Sequence, residues 1–166
     1  MPDLLLRDAT EADTALILRF IIDLAVYEKL EHTVVATEDS VRATLFGPRR
    51  YAEVILAEWK GKPAGFALYF HNYSTFLSKP GVYLEDLFVE PELRGNGIGK
   101  ALLIRLAQIA VERDCGRMEW AVLDWNTPSI EFYKSLGALP MSDWIINRLT
   151  GDALKSLAAK PNSITG

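Results

Sequence analysis

Hydrophobic and polar positions along this chain follow two periods, and the switches between them mark its elements. Leu4 to Arg7 reads as a short strand. Leu16, Ile17, Phe20, Ile21 and Leu24 then fall at helical spacing, which predicts an amphipathic helix to about Tyr27. Thr10, with Asp13 three residues on, supplies its N-cap pattern, and Glu28 to His32 is a polar exit. Thr37 caps a second helix through Phe46, stopped by Gly47-Pro48. Residues 51–59 and 64–70 are rich in strand formers, and the turn Lys60-Gly61-Lys62-Pro63 makes them a hairpin. The polar stretch His71 to Gly81, broken by Pro80 and Gly81, predicts a loop.

Val82 to Val89 is almost continuously apolar apart from Glu85 and Asp86, as expected of a central strand buried on both faces. After a glycine-rich loop, Ile98, Leu102, Leu103, Leu106, Ile109 and Ala110 form one helical stripe, with Arg105, Gln108, Glu112 and Arg113 mainly opposite. Met118 to Leu123 is another strand. Asn126-Thr127-Pro128 opens a helix with proline at its first position, and Gly137 ends it. A last strand at about Trp144 to Leu149 completes the order β-α-α-β-β-β-α-β-α-β, before a short helix and a tail frayed from Lys160. The pattern is a mixed α/β sheet in one domain spanning 1–166, its core within about 4–157, with no linker or repeat.

Composition narrows the function classes. The 166 residues, 49% hydrophobic and 24% charged, suit a soluble globular chain with a sizeable core. A net charge of −4 argues against a general nucleic-acid binder and is compatible with cationic substrates. Cys115 has no second cysteine to pair with, the first eight residues do not read as a signal peptide, and no stretch is long enough to span a membrane. A cytoplasmic location is expected. His32 and His71 form no pattern for a metal or a catalytic triad, and no metal is expected.

The candidate chemistry sits in Tyr83 to Lys100. Arg94-Gly95-Asn96-Gly97-Ile98-Gly99 opens a helix, and backbone N–H groups of such a loop converge on an anion. It is not a Walker loop, because Ala101 follows Gly99-Lys100 and Arg94 stands where the leading glycine belongs. The dinucleotide fingerprint fails at Lys100 and at Leu102. Three glycines in five residues exceed the needs of a plain helix-entry turn and suit close approach of a ligand to backbone, read as the pyrophosphate of a coenzyme. In the strand before it, Glu85 and Asp86 should point to opposite faces. A buried carboxylate without a partner is costly, so each needs an ion pair, a cap or a function.

The strand with its Arg-x-x-Gly-x-Gly loop resembles the acetyl-CoA-binding motif of the GCN5-related N-acetyltransferases (GNAT). Residues 121–126, Ala-Val-Leu-Asp-Trp-Asn, and 131–138, Glu-Phe-Tyr-Lys-Ser-Leu-Gly-Ala, resemble that family's second segment. Leu24-Ala25, Tyr27-Glu28, Tyr83-Leu84-Glu85-Asp86 and Trp125-Asn126 are similar to the diamine (spermidine/spermine) and thialysine acetyltransferase branch. The resemblance covers roughly residues 4 to 157. It implies a mostly antiparallel, twisted sheet flanked by helices, its central strand splayed at the acetyl-CoA site.

It also implies direct attack of an amine on the thioester within a ternary complex, without a metal. By resemblance, backbone of Leu87, Phe88 and Val89 holds the acetyl and pantetheine parts. Arg94, Gly95, Asn96, Gly97, Ile98, Gly99 and Lys100 hold the pyrophosphate, and Asn126 meets the coenzyme arm, although capping its own helix is an equally good job for it. Tyr133 is the expected general acid toward the departing thiolate, although an aromatic at helical spacing is commonly core. Glu85 is expected to take the ammonium proton, directly or through water. Asp86, Glu28 and Tyr27 line the amine site. Diamine enzymes carry an acid and a tryptophan where this chain has Ser74-Thr75-Phe76, which favours a shorter amine. Other acceptors (an amino acid, an aminoglycoside or a protein) and a non-catalytic acyl-CoA-binding module are the alternatives. The branch implies a homodimer, with which Trp144-Ile145-Ile146 is compatible.

Overall fold

Five strands in the order β1-β2-β3-β4-β5 form one sheet in the computed structural model, which describes residues 3–162. They are β1 (Leu4–Asp8), β2 (Glu53–Trp59), β3 (Lys62–Ser74), β4 (Lys79–Val89) and β5 (Met118–Trp120). The first four pair antiparallel, and β5 joins β4 in parallel. The helices are α1 (Thr14–Tyr27), α2 (Glu38–Leu45), α3 (Ile98–Glu112), α4 (Thr127–Ser135) and α5 (Gly151–Ala158). Contacts divide the chain into two compact units, one ending at Leu123 and one beginning at Asp124. The sheet and α1–α3 make the first unit, and α4 and α5 lie in the second. This is the α/β class expected.

Local chemistry starts the first two helices close to where the pattern placed them, although Thr10 caps a 3₁₀ turn at Glu11–Asp13 and α1 follows from Thr14 with Asp13 as its cap. Before α1, Arg7 grips both carboxylate oxygens of Asp13 at 2.9 Å, and the Thr10 backbone N–H donates to Asp13 at 2.8 Å. These donors, Arg7 first, hold the Asp13 carboxyl down at about 2. At α2 the Thr37 hydroxyl accepts from the Ser40 N–H at 3.2 Å, and Ser40 returns the bond at 2.9 Å.

The apolar stripe of α1 meets the sheet through Ile17 and Phe20, which join Val41 and Leu45 of α2, Val54, Leu56, Phe66 and Phe88 in one buried cluster. The Phe20 ring lies 5.4 Å from that of Phe66 and 5.7 Å from that of Phe88. Ile55, Ala57 and Ala67 are also buried and alternate with these, so β2 and β3 are covered on both faces. On α3, Leu102 and Leu106 are buried, and the helix packs against β2, β3 and β4.

Three boundaries differ from the sequence reading. The loop expected over His71–Gly81 is mostly ladder, since His71–Ser74 pairs with Lys79–Val82 and only the short tip between them turns. His71 and Tyr73 are solvent-facing there, which is why the stretch lacks apolar character despite being strand. Residues 121–123 fall outside β5, and 144–149 form no strand. Trp144, Ile145 and Ile146 are 78%, 82% and 72% exposed, so their apolar pattern does not mark a ladder in this chain. Residues 160–162 are exposed and irregular, and the rest of the expected tail lies outside the described residues, as do the first two residues of the N-terminal stretch.

Gly65 fixes the spacing of β3 and β4 beside the later part of β4. A Cβ there would stand 2.3 Å from the Phe88 carbonyl oxygen. Gly65→Ala is therefore expected to cost about 1–3 kcal/mol, as other overpacked sites do, read as a lowered chemical-denaturation midpoint. An unchanged midpoint would show that the ladder relaxes freely at this point.

Candidate active site

Strand β4 changes character at Leu84. Its register against β3 runs Leu68 to Asp86 and then Tyr69 to Leu84, leaving Glu85 as the extra residue of a β-bulge. Its parallel pairing with β5 covers only Val82–Leu84 against Met118–Trp120. Among the described residues, Glu85–Val89 has no ladder partner on that side. The two strands thus part beside the acids, leaving open backbone that can bind an extended ligand.

The bulge interrupts the regular alternation from which opposite faces were expected for Glu85 and Asp86. Strict alternation does not hold across it, and both acids share the field of Glu28, the residue that caps the end of α1. Burial, followed by the charges of Glu85 and Glu28, pushes the partly buried Asp86 carboxyl up to about 7. Glu28 is raised by burial and then by Glu85. Tyr83 is raised by burial and by Glu85 and Glu119. Glu28, Glu85 and Asp86 therefore form one anionic wall of mutually repelling carboxylates, with Asp86 the most strongly raised. Such a wall suits a cationic amine and a proton acceptor.

The β4–α3 connection begins with the Glu90 N–H donating to the Ala64 carbonyl at 2.8 Å and a 3₁₀ turn at Pro91–Leu93. Arg94 Nε donates to the Val89 carbonyl at 3.0 Å, and Asn96 Nδ2 donates to the Leu93 carbonyl at 2.9 Å. Gly97 caps α3 with φ +79°, in the left-handed region that glycine adopts at low cost. A Cβ on Gly99 would meet only Val89 Cγ2, at an ordinary 3.8 Å. The protein's own packing therefore does not demand glycine at 99. The first-turn N–H groups of α3 have no partner within the helix, which is how a helix start receives an anion.

In the second unit, Asn126 Oδ1 accepts from the Ser129 N–H at 3.4 Å, so this residue does cap its own helix. That helix begins at Thr127, which puts Pro128 second. Gly137 has φ +92°, and Ala138 and Gly137 donate to the carbonyls of Tyr133 and Lys134 at 3.2 and 3.0 Å. This is a Schellman ending, and it fixes the last turn carrying Tyr133. The Tyr133 ring lies 5.6 Å from that of Phe132.

The first unit thus brings together Tyr27, Glu28, Glu85, Asp86, Leu87, Phe88, Val89 and the loop from Arg94 to Lys100, while Asn126 and Tyr133 share α4. Two features had no sequence signal. The Arg94 guanidinium lies 4.8 Å from the Tyr27 ring centroid and 5.7 Å from that of Phe88. His71, given no role from sequence, holds the hairpin. Its Nδ1 meets the Gly81 carbonyl at 2.9 Å and its Nε2 meets Arg113 at 2.9 Å, while Arg113 grips both oxygens of Glu53. No helix among the described residues is long and apolar enough to cross a membrane.

Comparison with known proteins bears on the same residues. The model of the acetyltransferase (GNAT) family matches residues 20–138. The thialysine N-epsilon-acetyltransferase of Sus scrofa is 37% identical over 96% of this chain and 100% of its own. The L-ornithine N5-acetyltransferase of Arabidopsis thaliana is 34% identical over 92% of this chain and 86% of its own. Among solved structures, an integron cassette protein from the mobile metagenome of V. cholerae superimposes with a TM-score of 0.81 at 28% identity, covering 96% of this chain and 100% of the other.

Proposed function

The chain belongs to the GNAT acetyltransferase family, and from that premise we propose that it moves the acetyl group of acetyl-CoA to the primary amine of a small molecule resembling thialysine or a polyamine. The observation that carries the reading is the opening of β4 from β5 where Glu85 and Asp86 meet Glu28. Thioester and ammonium are thereby offered neighbouring ground, the first on backbone and the second on carboxylates. Similarity to the thialysine and ornithine enzymes supports an acceptor with one side-chain amine.

The roles follow from the chemistry. Backbone of Leu87, Phe88 and Val89 holds the acetyl and pantetheine parts, and a backbone N–H there donates to the carbonyl oxygen as it gains charge. Residues 94–100 hold the pyrophosphate, and Asn126 meets the coenzyme arm. Tyr27, Glu28 and Asp86 position the amine, and Glu85 takes its proton, directly or through water. The neutral amine then attacks the thioester carbon, the C–S bond breaks, and Tyr133 protonates the departing sulfur. No metal takes part. Most of the rate gain is positional, from holding two reactants in one complex. Ser74 supports a short acceptor, since its hydroxyl accepts from the Leu77 N–H at 3.2 Å inside the turn and the tip at 75–78 carries no acid. Residues 1–166 act as one N-acetyltransferase domain, in the cytoplasm. The exposed Trp144, Ile145 and Ile146 support a homodimer.

The reading is tested by initial velocities of thiol release with acetyl-CoA and a short diamine or ω-amino acid varied together. Intersecting lines are expected of a ternary complex, and parallel lines would replace direct attack with an acetyl-enzyme. Coenzyme binding without thiol release would point instead to a binding module. Gly99→Ala separates loop from fold. Within a helix the change stabilises by about 0.5–1 kcal/mol, whereas an added methyl facing the pyrophosphate should weaken CoA binding at least tenfold by calorimetry. Unchanged CoA affinity would remove the loop from the coenzyme site.

A further inference from the structure

Arg94 belongs to the coenzyme side of this reading, yet its guanidinium lies across the amine side. Nε is held by the Val89 carbonyl at 3.0 Å, which sets the plane of the group. Its Cζ lies over the Tyr27 ring, 4.8 Å from the centroid, with the Phe88 centroid at 5.7 Å. Tyr27 is the last residue of α1 and Glu28 is its C-cap, so whatever fixes the Tyr27 ring fixes one carboxylate of the anionic wall. A second tie acts in the same sense. Arg19 Nη2 meets Glu90 Oε1 at 2.7 Å, and Glu90, with its side chain only 14% exposed, is itself bound through its N–H to Ala64. Segment 90–94 therefore fastens α1 at Arg19 and at Tyr27, about two helical turns apart. The Arg19 tie is an ion pair that a lysine could imitate. The Arg94 tie needs a planar cation that stacks and donates in one fixed direction.

We propose that Arg94 is a positioning residue for the amine: held by Val89 and stacked on Tyr27, it keeps the Tyr27–Glu28 end of α1 in register with the coenzyme loop. The inference rests on the assignment of coenzyme and amine given above. It makes the two sites interdependent. A coenzyme that orders residues 94–100 orders the amine wall as well, and by linkage a change at Tyr27 is felt in coenzyme affinity. A side chain that served only the pyrophosphate would produce neither effect.

The test uses the full chain with Arg94→Lys, Tyr27→Leu, Tyr27→Phe and the Arg94→Lys/Tyr27→Leu double variant. CoA affinity is read by calorimetry, and KM and kcat for the amine by thiol release. Arg94→Lys keeps the charge but loses the stack, so kcat/KM for the amine should fall about three- to tenfold, the worth of a cation–π contact at a partly wet site, mainly through KM. Tyr27→Leu should weaken CoA binding about fivefold, a coupling at the small end of the usual range. Tyr27→Phe keeps the ring and should restore CoA affinity. The double variant should be no worse than the poorer single one, as for two halves of one contact. Arg94→Lys altering CoA affinity alone would overturn the proposal, as would losses that multiply in the double variant. If the wild type binds CoA but acetylates no amine, the functional reading fails, and the CoA affinity of Tyr27→Leu still decides the clamp. If it does not bind CoA, both fail.

Discussion

Asp86→Asn is expected to make the protein more stable at pH 8 while lowering kcat/KM for the amine about ten- to a hundredfold, the usual scale for losing a hydrogen bond to a charged group. Both effects have one cause. Burial and two neighbouring carboxylates raise the Asp86 carboxyl from 3.8 to about 7, which is at most about 4 kcal/mol of opposition to ionisation. A group whose folded pKa is raised favours the folded state fully below its unfolded value, near 4. That contribution is lost as pH rises through about 7. The wild type should therefore melt progressively lower than Asp86→Asn as pH climbs through this window, and the two should converge near pH 4. In activity, kcat/KM of the wild type should rise through about pH 7 as the wall gains its full charge, and that rise should vanish in the variant. Parallel melting curves at every pH would show that Asp86 ionises normally and sits outside the acid cluster.

Tyr133→Phe is expected to lower kcat by about a hundredfold or more, with CoA affinity and melting temperature close to wild type. An amine leaves a tetrahedral centre more readily than an unprotonated thiolate is expelled from it, unless the sulfur is given a proton as the bond breaks. A hydroxyl is the one group lost in this substitution, and the ring that packs 5.6 Å from Phe132 remains. The Schellman ending that fixes the last turn of α4 uses the backbone carbonyls of Tyr133 and Lys134 and is untouched. Full activity of Tyr133→Phe across pH would move the acid elsewhere. A matching loss of stability would assign the residue to packing.

What sequence made legible was local in its cause. The Thr10/Asp13 and Thr37/Ser40 ends of the first two helices, the α3 stripe and the Gly137 stop each rest on contacts within a few residues. The Arg94–Lys100 loop was readable for the same reason, because its glycines answer to backbone geometry. Long-range features were not legible. Nothing in Leu84-Glu85-Asp86 announces that β3 skips Glu85, or that Glu28, far off in sequence, lies within the field of both acids. The stretch at 71–81 read as loop because its pairing partner, not its own polarity, makes it strand. At 144–149 the error was the reverse. Three adjacent apolar residues read as strand, yet they stand exposed and join no ladder. The Arg94–Tyr27 stack, between residues far apart in sequence, has no pattern at all.

The central claim is transfer of acetyl to a small primary amine, and its most direct measurement is product formation from purified protein, acetyl-CoA and a matched set of acceptors. Thialysine, lysine, ornithine and spermidine would be compared, with free thiol and acetylated amine quantified together. One acetylated amine per thiol released is expected, with a higher kcat/KM for the short amino-acid acceptors than for spermidine. Tight CoA binding with no acetylated product from any of the four would contradict it.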